Sequence, residues 1–377
     1  MEVVFDGRVI QDRFPGIGRY AFRLLEAMLS LEPGLRLRLL YVPQAPNRRW
    51  DLRALDRFPA VQRIPVSIPP FAPAEHWAIP WLLRRWPEAL VHVPHYAVPL
   101  GLLRRSAPLA VTLHDFAPLR LPAAWSALQR WLYRFWHRCV LAWADAVFVI
   151  SRATQEDLFR LFGVPRGRVA VTPEAADPHF FPRPPQEVAE ALSHYGIRPP
   201  YALWVGVNKP SKNIDRLLEA WARVRERLPD SSATLILAGP RDPRYPLRLR
   251  PGARDLGMVP EEDLPALYTG ARLFVFPSLW EGFGLPVLEA MACGVPVACS
   301  DIPALREVAG EAAMFFDPRD VEGMVRVLEV AWQRAEDPVW RAAARARAGQ
   351  FSWQETARRA LEIYDELKQR KGNRHDL

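Results

Sequence analysis

Residues 276–297 read Phe276-Pro-Ser-Leu-Trp-Glu-Gly-Phe-Gly-Leu-Pro-Val-Leu-Glu-Ala-Met-Ala-Cys-Gly-Val-Pro-Val297. An apolar run, Leu273 to Phe276, gives way to a Gly-rich loop, and Pro286 stands where the first turn of a helix begins, a position that tolerates proline. A helix over Pro286 to Ala292 and a second apolar run, Val295 to Cys299, follow. Strand, loop, helix and strand in so short a space predict a parallel sheet wrapped by helices. The amides of Phe283, Gly284, Leu285, Pro286 and Val287 would line a helix amino terminus, where unsatisfied donors and the positive end of the helix dipole favour an anion. Gly282 and Gly284 allow a ligand close to the backbone. Glu281 and Glu289, with seven residues between them, flank this loop, and carboxylates beside an anion nest suit the hydroxyls of a ligand carrying both sugar and phosphate.

The same alternation runs outward in both directions, so the fold class is α/β. Strands are expected at Glu2 to Phe5, Leu37 to Tyr41, Ala89 to Val93, Leu109 to Leu113, Ala146 to Ile150 and Val169 to Thr172. Helices Ile17 to Leu31, Ala124 to Ala142 and Gln155 to Phe162 lie between them. A second set of strands, Tyr201 to Val205, Ala233 to Leu237, Leu273 to Phe276 and Val295 to Cys299, alternates with helices Asn213 to Arg227, Glu262 to Tyr268 and Pro286 to Ala292. Between the sets, five prolines within Phe180 to Pro200 read as a linker, which puts a junction near residue 190.

The chain has 377 residues, enough for two domains, and its half-apolar, 24% charged composition excludes a disordered or fibrous protein. The uncharged stretch Ala89 to Leu103 is too short for a bilayer helix. The acidic amino terminus, Met-Glu-Val-Val-Phe-Asp-Gly, lacks the basic and apolar regions of a signal peptide, so a cytoplasmic location is expected. Cys139, Cys293 and Cys299 form no CxxC pair and read as core residues rather than metal ligands. The 50 basic residues include only four lysines, and two of these, Lys209 and Lys212, share one Gly/Pro/Asn/Ser loop, where a compact ammonium is wanted. The net charge of +8 is concentrated in the first 190 residues, with 24 Arg against 17 acids, which suits anionic partners.

The segment around Glu281 and Glu289 resembles the donor-site signature of retaining glycosyltransferases of family 4, the glycosyl transferases group 1 with the GT-B fold. The likeness extends to Val205-Gly-Val-Asn-Lys-Pro-Ser-Lys-Asn-Ile, to Leu264-Pro-Ala-Leu-Tyr-x-Gly-Ala and to residues 300–318. It continues more sparsely through Gly16-Ile-Gly-Arg-Tyr, Leu113-His-Asp and Val149-Ile-Ser-Arg-Ala-Thr. The resemblance implies two Rossmann-like parallel-sheet domains facing across a cleft: an acceptor-side domain over 1–190, a donor domain over 191–350, and a helix over 351–377 packing back toward the first. Lys212 would bind the departing diphosphate with the loop amides, Glu281 would accept from donor-sugar hydroxyls, and Glu289 would hold the ribose diol. Gly206 belongs to the family's Gly-Arg loop, but Val207 replaces its arginine, and Lys209 is the candidate to supply the missing charge. His114 would contact the sugar near the reacting carbon, Asp115 would lie on the acceptor side, and Gly16 and Gly18 would let backbone approach the phosphates. His92 and His95, at another strand end, are pocket-rim candidates.

By the same resemblance, the reaction is transfer of a sugar from a nucleotide-diphosphate sugar to a hydroxyl with retention, the diphosphate oxygen taking the acceptor proton. It would serve cell-surface polysaccharide, glycolipid or glycoconjugate synthesis. No Asp-x-Asp motif occurs, so no metal and no cofactor is expected beyond the donor itself. Acceptors would bind the basic first half, where Trp131, Tyr133, Phe135 and Trp136 interleave with Arg130, Arg134 and Arg138. Such a surface suits a lipid-linked acceptor or peripheral contact with an anionic membrane face. No nucleic-acid motif is present. Two other readings stand beside this one: a nucleotide-sugar epimerase of the same fold, disfavoured by the Glu-Gly-Phe-Gly pattern, and a non-catalytic nucleotide-sugar-binding protein, suggested by Val207.

Overall fold

A computed structural model describes the chain except residues 105–106, 122–124, 229–231 and 376–377. It divides into two compact units, Met1–Glu174 with Ser352–Leu377, and Ala175–Phe351. The change comes earlier than the junction expected near residue 190, because the Pro-rich segment is not a solvated linker. Phe180 is buried with its ring 5.8 Å from that of Tyr268, and Leu192 of the helix Pro185–His194 is buried with it in the second unit.

The first unit is built on seven parallel strands: β1 (Glu2–Asp6), β2 (Arg36–Tyr41), β3 (Val61–Pro65), β4 (Leu90–Val93), β5 (Leu109–Leu113), β6 (Ala146–Val149) and β7 (Val169–Val171). Their order is β3-β2-β1-β4-β5-β6-β7. Strands β4, β5 and β6 are buried at every residue, which is why they read as unbroken apolar runs. The order reverses between β1 and β4, where Phe5 pairs with His92, so the strand ends beside this switch point are where an open α/β sheet receives ligands.

The second unit repeats the plan with β8 (Tyr201–Val205), β9 (Thr234–Ala238), β10 (Ala253–Asp255), β11 (Leu273–Phe276), β12 (Val297–Ser300) and β13 (Ala313–Phe316), in the order β10-β9-β8-β11-β12-β13. Here the switch point lies between β8 and β11, so the loop after Val205 and the loop after Phe276 are neighbours. Backbone confirms it: the Leu279 N–H donates to Ser211 O at 2.8 Å.

The carboxy-terminal helix Trp353–His375 packs on the helix Pro15–Leu31 within the first unit, burying Ala357, Ala360, Leu361, Tyr364 and Leu367. The Thr356 hydroxyl donates to Pro173 O, which fixes the entry of this helix. The helix expected from Ala124 is described from Ala127 to Trp143; Ala124 lies outside the described residues. It begins at a capping box in which Ser126 and Gln129 satisfy each other's amides. Among the described residues, no helix is long and apolar enough to cross a membrane.

Candidate functional site

In the second unit, two loops meet at the switch point. The loop after β8 turns at Gly206, whose φ of 158° leaves little room for a side chain: a Cβ there would lie 3.0 Å from the Trp204 ring. Gly239, at φ 126°, packs behind it so closely that a Cβ would overlap Gly206 O. The chain then makes a short turn, Pro210–Lys212, ended by Asn213 in the left-handed region. Asn213 caps no helix with its side chain. Its Nδ2 donates to Pro277 O at 3.1 Å and Pro318 O at 2.7 Å, which locks this turn against the loop after β11.

That lock brings Lys212 to Glu281: Nζ lies 2.5 Å from Oε1, both side chains mostly covered, with the ammonium 5.1 Å from the centre of the Phe276 ring. The helix that follows, Leu285–Ala292, has Gly284 as its N-cap at φ 116°, where a Cβ would lie 2.5 Å from Leu305. Five amides were expected to serve an anion; the structure reduces that number. Pro286 has no N–H, and Val287 donates to Gly284 O at 3.0 Å. The amides of Phe283, Gly284 and Leu285 remain without an acceptor among the described residues. Glu289 is the helix's fifth residue, thus in its second turn rather than its first, and is buried with Oε2 accepting from Tyr268 at 3.0 Å.

Lys209 is the candidate for the charge of the arginine absent at Val207. It is exposed, and its charge acts on Asp242, whose carboxyl is pulled down to about 2 chiefly by the Arg244 hydrogen bond and also by Lys209. The guanidinium that reaches the glycine turn is Arg241, with Nη1 3.5 Å from Gly206 O while its other nitrogens pair with Asp255. Arg241, Asn208 and Gly239 were all missed in the sequence. Asn208 is buried, and its Nδ2 donates to Asp242 O at 3.2 Å, clamping the turn that presents Arg241. The available signal was the Gly239-Pro-Arg241 run just past a strand.

In the first unit, His114 follows β5 with Nε2 3.0 Å from Pro94 O, an arrangement that puts its proton on Nε2. Burial pushes its pKa down to about 4, so the ring is neutral at pH 7 and Nδ1 is an acceptor, 3.9 Å from Glu174 Oε1. Asp115 is exposed, its Oδ1 accepting from the Ala117 N–H at 3.0 Å. Gly16 and Gly18 lie in the first turn of the helix Pro15–Leu31 and differ in kind. A Cβ on Gly16 would meet nothing within 4 Å, whereas one on Gly18 would lie 2.7 Å from the Trp50 ring and 3.0 Å from Val9 O.

Neither His92 nor His95 lies at a pocket rim; both are fully buried. His92 is a structural link, its Nε2 2.7 Å from Thr112 Oγ1 and its Nδ1 bonded to the Tyr364 hydroxyl of the carboxy-terminal helix. His95 sits with Nε2 3.9 Å from Asp6 Oδ2 beside a buried charge cluster that the sequence did not disclose. There Arg8 pairs with Asp6 at 2.7 Å and Glu75 at 3.0 Å. Burial lifts Glu75 to about 6 against the pull of Arg8. Its Oε2 also accepts from the N–H of Phe71, a residue held at φ 66°.

Cys293 and Cys299 are buried free thiols whose pKa values burial raises, the inert condition expected of core cysteines. One group with cation-like spacing, Asp177, His179 and Glu261, occurs in the second unit among the described residues. Its His179 Nδ1 is already bonded to Asp177 Oδ1 at 2.6 Å.

Two parallel α/β units, the second with a cation, free amides and carboxylates gathered at its switch point, have the architecture of enzymes that bind phosphorylated ligands at strand ends. Residues 15–180 match Glycosyltransferase Family 4, and residues 199–333 match Glycosyl transferases group 1. The O-antigen chain mannosyltransferase B of Escherichia coli is 33% identical, over 97% of this chain and 99% of its own. The O-antigen chain mannosyltransferase RfbU of Salmonella typhimurium is 27% identical, over 69% of this chain and 67% of its own. Among solved structures, sucrose-phosphate synthase from Thermosynechococcus elongatus superposes with a TM-score of 0.77 at 21% identity, covering 97% of this chain and 99% of that one. Anabaena HepE in complex with UDP-glucose does so with a TM-score of 0.74 at 18% identity, covering 97% and 100%. The chain belongs to glycosyltransferase family 4, and it is a glycosyltransferase of GT-B fold.

Proposed function

We propose that the protein transfers a mannosyl residue from a nucleoside-diphosphate mannose to a hydroxyl of a growing cell-surface polysaccharide, with retention and without a metal ion. The observation that carries this reading is the Lys212–Glu281 pair set beside the unclaimed amides of Phe283, Gly284 and Leu285. A cation and aimed amides are what a departing diphosphate needs, because they stabilise charge that develops only as the bond breaks. In the ligand-free protein Glu281 neutralises Lys212; a bound donor would take the ammonium on its phosphates and offer its sugar hydroxyls to Glu281. Glu289 is the carboxylate for the ribose diol. His114 and Glu174 present two acceptors suited to a hydroxyl-rich ligand. The sugar is taken from the two mannosyltransferase relatives.

In the step itself, the bond from the anomeric carbon to the phosphate oxygen breaks while the bond to the acceptor oxygen forms on the same face. The acceptor proton passes to the departing phosphate oxygen. A neutral His114 with its proton committed to Pro94 O is placed to position hydroxyls rather than to act as the acid.

Thermal unfolding in the presence of UDP, GDP, ADP and their sugar conjugates, with chelator and with Mg²⁺, tests this. One nucleoside diphosphate is expected to stabilise the fold equally in both, by about 2.7 kcal/mol at a hundredfold excess over Kd. Lys212→Ala is expected to abolish that gain, and NMR of the product should show an α-mannoside from an α-configured donor. Absence of stabilisation by every nucleotide, together with no transfer, would overturn the reading in favour of a non-catalytic protein.

A further inference from the structure

The helix Ala127–Trp143 buries only His137, Val140 and Leu141, yet it carries a second apolar face. Leu128, Trp131, Leu132 and Phe135, spaced as one helical stripe, are all exposed, Trp131 at 60%, and the Trp131 and Phe135 rings stack 5.6 Å apart. The helix Glu75–Leu82 adjoins it through the rings of His76 and Trp136, 5.3 Å apart, and leaves Trp77 and Trp81 exposed at 65% and 64%. Trp77, Trp81 and Arg84 line an open cleft of about 460 Å³. Single exposed apolar side chains are ordinary, but nine of the large ones left exposed in the described chain fall between residues 77 and 143. Every tryptophan among the exposed large residues is one of them.

The exposed charges on these two helices have one sign. The helix Ala127–Trp143 holds Arg130, Arg134 and Arg138 and no acidic residue, and Arg84 and Arg85 follow Trp81. None of the five pairs with a carboxylate among the described residues. Elsewhere the protein's arginines are commonly matched, as Arg63 is with Asp56 and Arg120 with Asp157. Apolar rings flanked by unmatched guanidiniums are built for a surface that is oily beneath and negative at its rim.

We infer that these two helices form a docking face for an anionic lipid bilayer, the tryptophans entering the headgroup boundary and the arginines meeting lipid phosphates. A second copy of the chain is a poorer occupant, since a two-fold contact would set the same cations against one another with no exposed acid on either helix to match them. The inference does not depend on the donor chemistry: a chain that binds no nucleotide would still dock.

The test is co-sedimentation of the full chain with vesicles of phosphatidylcholine alone and of equimolar phosphatidylcholine and phosphatidylglycerol, at low and high salt. Binding is expected on the anionic vesicles and should weaken with salt. Arg130→Gln, Arg134→Gln and Arg138→Gln together should lower the partition coefficient by about a hundredfold, roughly fivefold for each charge. Leu128→Ser with Trp131→Ser and Phe135→Ser should lower it at every salt concentration, while circular dichroism and nucleotide-induced stabilisation stay as in the parent. Three outcomes would overturn the inference: no binding of the parent chain to anionic vesicles, binding unchanged in both variants, or a soluble dimer of the parent that the serine variant dissolves.

Discussion

At the scale of single residues, candidate groups stood out where an unusual residue type stood in or beside a glycine-rich turn. Lys212, Glu281 and Glu289 stood out in the sequence for that reason, and Lys212 and Glu281 are found paired at 2.5 Å. Their partners were not legible, because Tyr268 under Glu289 and Phe276 under Lys212 come from other elements and look like core residues in sequence. The two glycines near the amino terminus show how a shared motif hides different causes. Gly18 is fixed by packing against Trp50 and Val9 O, so Gly18→Ala is expected to cost about 1–3 kcal/mol in urea denaturation. Gly16 faces open space in a helix's first turn, so Gly16→Ala should leave stability unchanged or raise it by up to about 1 kcal/mol. A role for Gly16 in close approach to the donor predicts that this same variant loses about tenfold in kcat/KM, the worth of one backbone hydrogen bond. Steady-state kinetics on Gly16→Ala separates the two roles.

At the scale of elements, the fully buried strands were readable, and two of the edge strands were not. β3 and β10 lie at sheet edges and hold only half-buried and exposed residues, so each lacks the apolar run that marks a central strand. The Pro-rich segment before β8 misled for the opposite reason: prolines signalled a linker, while the few apolar residues among them decided where the segment packs. The helix Trp353–His375 was visible as a helix, and the resemblance implied that it packs toward the first domain, but the hydrogen bond between Tyr364 and His92 was not legible, since the two residues lie 272 positions apart. Tyr364→Phe keeps the ring in its site and removes only the hydroxyl, leaving His92 Nδ1 buried without that partner. The expected loss is about 1–3 kcal/mol, read by urea denaturation, with Thr112→Val as a companion variant that removes the partner of the other nitrogen.

At the scale of the whole molecule, buried titratable groups are shared unequally between the two units. The first unit holds His76, His92, His95, His114 and His137, and burial depresses the pKa of each: to about 3 for His92 and to about 4 for His95, His114 and His137. An unfolded imidazole takes up its proton below about 6.5, whereas the buried ring stays neutral until near 4, so the unfolded state binds more protons within that window. Stability therefore falls as pH drops from 7 to 5, by about 2 kcal/mol for each fully buried ring at the lower value. In the second unit, Asp242 and Asp301 are held below the usual carboxylate range by hydrogen bonds from Arg244 and Arg306, and they surrender that stabilisation only in stronger acid. Mild acid should thus loosen the first unit while sparing the second. Hydrogen exchange at pH 7 and pH 5, corrected for intrinsic rates, is expected to show lost protection in β4, β5 and β6 with β8, β9 and β11 retained. Equal loss in both sheets would mean that the buried imidazoles do not set the acid limit of this fold. A shift confined to the first unit, and reduced in His137→Phe, would show that they do.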